Sequence, residues 1–347
     1  MEFPDIHVFD ESAEEADAGR ELGRTLTDLG IESPFVVASI HGKALAAELD
    51  AADDAIVVPI LGADQAWAVD VGAKAQRMGA DAVVAIGGGR CLDVGKLAAG
   101  RAGVTVISVP TQLSHDGICS PVAVVPDETG HAESIPAIVP RAVFLSLPTL
   151  LGAPPASVAA GLGDLLANPL ALRDWALAVE RGIDAADHHA WDMSAQSFGL
   201  VEPFLDRDPA TSMADPAFLR TLADALILSG MAMIQAGTSR PASGGEHEIS
   251  HAIDELYGGR ALHGAQVAFG CTVSVHLYGE DHGLFRERLR RLGLPQHPRD
   301  LGLTLDDAVR VLLHAPETRP GRYTIIEAAG LDEAAARSVI RTIWDES

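Results

Sequence analysis

Three histidines fall close together, at His247, His251 and His263, within Ser239-Arg-Pro-Ala-Ser-Gly-Gly-Glu-His247-Glu-Ile-Ser-His251 and Ala261-Leu-His263-Gly-Ala-Gln266. His247 and His251 are four residues apart, so on a helix they share one face and can approach one ion or one substrate. A single histidine in such a segment is usually a core or surface residue. Three together point to metal or proton chemistry, because imidazole is the commonest metal ligand. His247-Glu-Ile-Ser-His251 also satisfies HExxH, in which both histidines bind zinc and Glu248 would activate water in a metallopeptidase. The metzincin extension of that motif is absent, since Asp254 stands where glycine is required and Tyr257 where the third histidine would be.

A second constellation is Asp81-Ala-Val-Val-Ala-Ile-Gly-Gly-Gly-Arg-Cys-Leu-Asp93-Val-Gly-Lys-Leu, an apolar strand entering three glycines and then a helix. Such a turn lets the backbone approach a pyrophosphate whose charge the helix N-terminus favours. It also suits a plain strand-to-helix connection. A third runs from Val109 to Val122 and concentrates Thr111, Ser114, His115, Asp116 and Ser120 after a strand. The carboxyl ends of strands in open α/β sheets are where ligands bind, although Asp116-Gly117 could equally be a turn and Thr111 or Ser114 a cap.

Elements able to position these groups are legible on both sides of residue 155. Before it, short apolar runs at 34–40, 55–61, 81–89, 105–110 and 142–147 alternate with helix-patterned segments such as Asp64 to Met78. That alternation predicts a parallel sheet flanked by helices. After it come long helical patterns: Val158–Ala167, Ala171–Arg181, His188–Val201, Asp215–Gln235, Gly245–Tyr257, Ala261–Tyr278 and Asp332–Trp344, with no convincing strand. The expected organisation is therefore an α/β domain over 1–155 and an all-helical domain over 156–347. The uncharged stretch from Ala142 to Gly163 is long enough to span a bilayer, but Pro148, Gly152, Pro154 and Pro155 break it into a strand end, a turn and a helix entry.

Composition narrows the function. The 347 residues carry 25 Lys and Arg against 49 Asp and Glu, a formal net charge of -24, which repels nucleic-acid backbones and anionic membranes. Nucleic-acid binding and membrane insertion are not expected. Three cysteines, with no CxxC pair, argue against a disulfide framework and for a reducing cytoplasm. The acidic start, MEFPDIHVFDESAEEADAGR, lacks the features of an export signal.

The segments GGGRCLDVGK, SVPTQLSHDGICSPVA, AGLGDLLAN…LRDWALA, SGMAMIQAGTSRPASGGEHEISHAID, ALHGAQVAFG and APETRPGRYTIIEAAGL, in this order, resemble the sn-glycerol-1-phosphate dehydrogenases of the iron-containing alcohol dehydrogenase and dehydroquinate synthase superfamily. The resemblance runs from about residue 80 to 330. It implies a Rossmann-like domain followed by a helical one, in the dehydroquinate synthase-like arrangement. It further implies a metal- and NAD(P)-dependent enzyme of phospholipid biosynthesis that reversibly reduces dihydroxyacetone phosphate to sn-glycerol 1-phosphate. By motif position Asp164, His247 and His263 are the metal ligands; Asp116 and His251 are the catalytic, substrate-side pair, with Asp164 also touching substrate. The implied coenzyme site takes in Gly87, Gly88 and Gly89, then Arg90, Cys91, Leu92 and Asp93. It continues with Thr111, Gln112, Leu113, Ser114 and Ser120.

Physical chemistry agrees with that set. One carboxylate and two imidazoles make a usual catalytic zinc site with an open position, though Fe2+, Ni2+ or Mn2+ fit the same ligands. Arg240, a fork-shaped donor beside Ser239 and Ser243, is the expected phosphate contact. After the strand at 34–39, Ser39, His41 and Lys43 could accept a 2′-phosphate, so both NAD and NADP are open. A homodimer or higher homo-oligomer is expected. The sequence departs from the family at Asn168, where lysine is usual and Pro169 follows inside an expected helix, at Ala265 and at Ser146. A pocket altered there would serve another ketone, polyol or sugar phosphate, including cyclisation of the dehydroquinate synthase type; a binding protein without catalysis is disfavoured by retention of all three ligands.

Overall fold

The computed structural model describes residues 2–10, 15–49, 55–59, 63–127 and 132–345. The chain forms two compact units, one of residues 1–154 with 214–230, the other of residues 155–213 with 231–347.

In the first unit, β1 (Asp5–Phe9), α1 (Glu15–Asp28), β2 (Pro34–Ala38), α2 (Lys43–Ala46), β3 (Ile56–Val57), α3 (Gln65–Arg77), β4 (Ala82–Gly87), α4 (Gly89–Ala102) and β5 (Thr105–Pro110) alternate. A hairpin of β6 (Val122–Pro126) and β7 (Ala132–Pro136) then leads to β8 (Ala142–Ser146) and α5 (Leu147–Leu151). Six strands form one parallel sheet in the order β1-β8-β5-β4-β2-β3. The apolar runs are continuous because their strands are covered on both faces, as in Val83 to Ile86, where no side chain is exposed. From β2 the chain passes outward to β3, whereas from β4 it passes the other way to β5. The β2/β4 pair is thus the switch point of the sheet, where open α/β sheets bind ligands.

The β6–β7 hairpin is antiparallel and separate from the main sheet, and it was not expected from the sequence. Part of the expected strand at 55–61 lies outside the described residues; Ile56–Val57 pairs with β2.

The second unit begins with α6 (Pro155–Leu165), α7 (Asn168–Glu180), α8 (His188–Val201) and α9 (Pro209–Met213). Next is α10 (Pro216–Ala236), whose residues up to Gly230 belong to the first unit, although the sequence reading placed them in the helical domain. Then come α11 (Gly245–Tyr257), α12 (His263–Leu277), α13 (His282–Leu292), α14 (Leu305–His314), α15 (Ile325–Ala329) and α16 (Glu333–Trp344). No strand occurs among the described residues of this unit. Helix α10 is long and apolar enough to cross a membrane, but 67% of its apolar window is buried within the protein, as for a core helix.

Pro169 does not interrupt a helix. The chain breaks at Leu166 and Ala167, and Pro169 enters the first turn of α7, where a missing N–H costs nothing. A core of Ile249, Ile253, Phe269 and Trp344, with the last two rings stacked at 4.9 Å, anchors α11 and α12 against α16.

Candidate active site

Asp164 near the end of α6, His247 in the first turn of α11 and His263 at the start of α12 converge in the helical unit. Close helix packing makes this possible: a Cβ on Gly163 would lie 2.4 Å from the Gly264 carbonyl oxygen, and one on Gly270 would lie 2.4 Å from that of Glu246. Only glycine lets α6 and α11 approach α12 so nearly at these two crossings. Asp164 Oδ1 is then 3.8 Å from both His247 Nε2 and His263 Nε2. These separations are below twice a zinc–ligand bond of about 2.1 Å, so one ion can bridge the carboxylate to either imidazole. The donor set, one carboxylate oxygen and two imidazole nitrogens, fits a divalent metal.

His247 is oriented from behind. Its Nδ1 lies 3.0 Å from Glu246 Oε1, which also accepts from Gly244 N. With Nδ1–H so engaged, Nε2 presents its lone pair to the ligand position. Burial raises the Glu246 carboxyl to about 7. Asp174, raised to about 7 by burial and by Glu246, accepts from Gly245 N, Ile325 N and the Tyr278 hydroxyl. This buried carboxylate pair ties the N-terminus of α11 to α7, α12 and α15.

His251 lies one turn along α11, with its ring 6.1 Å from that of His263. Arg319 donates through Nη2 to His251 Nε2 at 2.9 Å, which places the imidazole hydrogen on Nδ1. Burial, then the Arg319 charge, holds His251 well below its ordinary pKa. It is neutral near pH 7.

Two sequence expectations find different surroundings. Arg240 is committed elsewhere: its Nε pairs with Asp184 at 2.8 Å and its Nη1 donates to the Tyr323 carbonyl. The guanidiniums beside Ser239 and Ser243 belong to Arg319 and Arg322. In the metallopeptidase reading, Glu248 would face water. Instead it is fully buried, accepts from Thr324 Oγ1 at 3.0 Å, and is raised to about 9 by burial and then Glu327. A neutral, buried carboxyl cannot serve as that base, and Asp164 rather than His251 completes the group of donors.

In the first unit the glycine turn closes β4 onto α4, with Gly88 as N-cap in an extended conformation. A Cβ on Gly89 would lie 2.0 Å from His115 Nε2, so glycine admits the imidazole against the turn. Thr111 N donates to the Gly87 carbonyl at 3.0 Å, bringing Thr111 and Gln112 beside the glycines at the carboxyl ends of β4 and β5. Leu113 and Ser114 are buried, and Ser120 bonds the Val122 carbonyl. Arg90 is exposed, whereas Cys91, Leu92 and Asp93 turn inward. Cys91 bonds the Val37 and Ile86 carbonyls, and burial pushes its thiol up to about 12. Asp93 pairs with Lys96 at 3.2 Å and accepts from Val124 N, clamping the β6–β7 hairpin to α4. Ser39, at the end of β2 on the switch point, accepts from Gly42 N, and His41 and Lys43 are exposed nearby in sequence.

Asp116 lies in a short 3-10 turn and accepts from Ser229 Oγ at 3.0 Å. Burial raises it to about 6 against the opposing effects of Ser229 and Lys96.

Residues 8–154 match the model of the iron-containing alcohol dehydrogenase family. A glycerol-1-phosphate dehydrogenase [NAD(P)+] of Methanothrix thermoacetophila is 36% identical over 94% of this chain and 84% of its own length. The chain belongs to the glycerol-1-phosphate dehydrogenase family. Its relative of the same name from Sulfurisphaera tokodaii is 34% identical over 91% of each chain. A probable glycerol dehydrogenase from Sinorhizobium meliloti superposes with a TM-score of 0.78 over 99% of this chain and 97% of that one, at 22% identity, which shows the shared fold.

Against that family frame, Arg319, Arg322 and Glu246 are the residues that sequence reasoning left without a role. Glu246 had a readable signal, a carboxylate directly preceding a candidate ligand. Arg319 and Arg322 had none beyond membership of APETRPGRYTIIEAAGL, because more than 60 residues separate them from His251.

Proposed function

We propose that the chain reduces dihydroxyacetone phosphate to sn-glycerol 1-phosphate, reversibly, with NADH or NADPH. The observation that carries this reading is the convergence of Asp164, His247 and His263, with His251 one turn away, in a chain 36% identical to a glycerol-1-phosphate dehydrogenase. Asp164, His247 and His263 would hold the divalent ion. A bound ion supplies Lewis acidity at the reacting oxygen, and a bound nicotinamide coenzyme exchanges hydride with the adjacent carbon.

The chain's own residues do the rest. Glu246 holds the His247 ring in register for ligation. The glycine turn and the α4 N-terminus take the pyrophosphate, since backbone N–H groups there face a negative charge without a side chain intervening. His251 keeps one hydrogen, on Nδ1, with which to bond a substrate oxygen. Asp116, with a proton affinity raised to about 6, is suited to exchange the proton that accompanies hydride transfer. Ser39, His41 and Lys43 beside the sheet's switch point are compatible with a 2′-phosphate.

Two of the three departures from the family motif, Asn168 and Ser146, have local structural roles. Asn168 is buried and donates to Ser197 Oγ at 2.7 Å, and Ser146 caps α5 through Thr149 N. These roles favour the family substrate over a pocket altered at those positions. Cys91, Cys119 and Cys271 are free and buried, which supports a reducing compartment such as the cytoplasm.

The test is coenzyme oxidation by purified, zinc-loaded protein with dihydroxyacetone phosphate, NADH or NADPH, followed by chiral assay of the product. Production of the sn-1 isomer, lost in His247→Ala, is the expected result. Metal-loaded protein inactive with both coenzymes would overturn the assignment in favour of another ketone or sugar phosphate.

A further inference from the structure

Arg319 and Arg322 set two positive charges side by side in a partly buried part of the helical unit without a carboxylate partner. Neither forms an ion pair among the described residues; their acceptors are Ser239 Oγ, Ser243 Oγ, the Ser243 carbonyl and His251 Nε2. The Nε–H of Arg322 is buried with no acceptor. Burial, then the neighbouring Arg319 and Arg240 charges, lowers Arg322 to about 9. A pair of cations so placed is costly unless an anion completes it.

The donors around the pair define the anion. Ser239 Oγ accepts from both guanidiniums and Ser243 Oγ accepts from Arg319. As acceptors, both hydroxyls keep their own hydrogens, and neither hydrogen has an acceptor among the described residues. Two guanidinium edges and two hydroxyl hydrogens exceed what a carboxylate's two oxygens need and suit the three terminal oxygens of a phosphate ester. Arg319 also touches His251, which neighbours His263, so the cationic pair lies one imidazole away from the metal donors. That is the order of groups along a three-carbon ketone phosphate, whose ester is a few bonds from its carbonyl. Arg240, bonded to Asp184 and to the carbonyl of Tyr323, braces the segment that carries Arg322.

We propose that Arg319 and Arg322, with Ser239 and Ser243, form the subsite for the substrate's phosphate. This rests on the reaction assigned above and names the residues that select a phosphorylated substrate.

The test compares wild type, Arg322→Met, Arg322→Lys and Ser239→Ala, all metal-loaded and checked for a native thermal transition. Two measurements are made: kcat/KM for dihydroxyacetone phosphate and for dihydroxyacetone, and calorimetric titration with inorganic phosphate. Arg322→Met is expected to lower kcat/KM for the phosphorylated ketone, through KM, at least 10-fold more than for dihydroxyacetone, and to abolish phosphate binding. Arg322→Lys should recover part of the loss, and Ser239→Ala should show a smaller selective loss that reads the subsite even if Arg322→Met does not fold. Wild type that reduces dihydroxyacetone phosphate while Arg322→Lys and Ser239→Ala retain its KM overturns the subsite and leaves the reaction standing. Wild type inert toward dihydroxyacetone phosphate overturns the reaction, and the titration then judges the subsite alone. Phosphate binding lost in the variants supports it; no binding by wild type, or binding that survives in them, overturns it.

Discussion

Glu246 Oε1 sits 3.0 Å from Nδ1 of its sequence neighbour His247, and both side chains are buried. Adjacent residues on a helix normally diverge by about 100°, so this contact depends on the bend of the glutamate back toward the α11 N-terminus, where Gly244 N also binds it. A carboxylate behind a ligating imidazole fixes its tautomer and raises its basicity, typically contributing 10–100-fold to metal affinity. Glu246→Gln is accordingly expected to weaken zinc binding by about 10–100-fold, measured by competition with a chromophoric chelator. Unchanged affinity would show that Glu246 serves packing alone.

Metal removal should be visible in stability as well as turnover. Asp164, His247 and His263 come from three different helices, so an ion bound only in the folded state links α6, α11 and α12. At free zinc 100 times its dissociation constant the linkage contributes about 2.7 kcal/mol. Dialysis against a chelator should lower the melting temperature and abolish activity, and added zinc should restore both. A transition temperature insensitive to zinc, with binding confirmed, would contradict this siting.

The pH dependence follows from Asp116. Its folded pKa of about 6 lies above its ordinary value of 3.8, so the native state retains a proton that the unfolded chain releases. Its contribution to stability is therefore present below about pH 4 and is lost as pH rises through 6. As the proposed proton acceptor in the oxidation direction, Asp116 works only when ionised, so kcat/KM should rise with pH through about 6. Ser229→Ala removes the hydrogen bond that lowers this pKa and should displace the inflection to higher pH. A pH–rate profile identical to wild type would remove Asp116 from proton transfer.

Glu248 discriminates the two readings of His247-Glu-Ile-Ser-His251. Buried against Thr324 and held neutral, it resembles a glutamine already. Glu248→Gln should keep metal binding and ketone reduction within a few-fold of wild type. Loss of activity of 1000-fold with metal retained, on the order expected for removal of a general base, would revive a direct role for this carboxyl.

Glycine spacing offers a stability contrast. Gly163→Ala drives a methyl group toward the Gly264 carbonyl oxygen and should cost about 1–3 kcal/mol while loosening the metal site. Gly199→Ala, at an exposed position of α8 with no atom within 4 Å of the new methyl, should instead gain about 0.5–1 kcal/mol. Denaturant titration of both variants checks the pair, and equal effects would refute the packing argument at α6 and α12.

Much of the architecture is legible in the chain. The run Thr105–Pro110 and the helices His188–Val201 and Gly245–Tyr257 have the expected bounds, because each carries its own periodicity and terminating residues. The β6–β7 hairpin is less so: Val122–Pro126 is only half-buried and rests on the buried clamp of Val124 N to Asp93, a contact between residues 31 apart. Short local patterns say little about such pairings.

The candidate site divides in the same way. Residue types and spacing singled out His247, His251 and His263, since a ligand's chemistry is a property of its side chain and i, i+4 spacing is local, whereas Asp164 was reached only through the family resemblance. Tertiary structure alone decided that Arg319 and Arg322, rather than Arg240, stand beside Ser239 and Ser243, and that Glu248 points at Thr324. An arginine's reach allows many partners, and the choice among them depends on which helices pack together and which carboxylate, here Asp184, arrives first within hydrogen-bond distance.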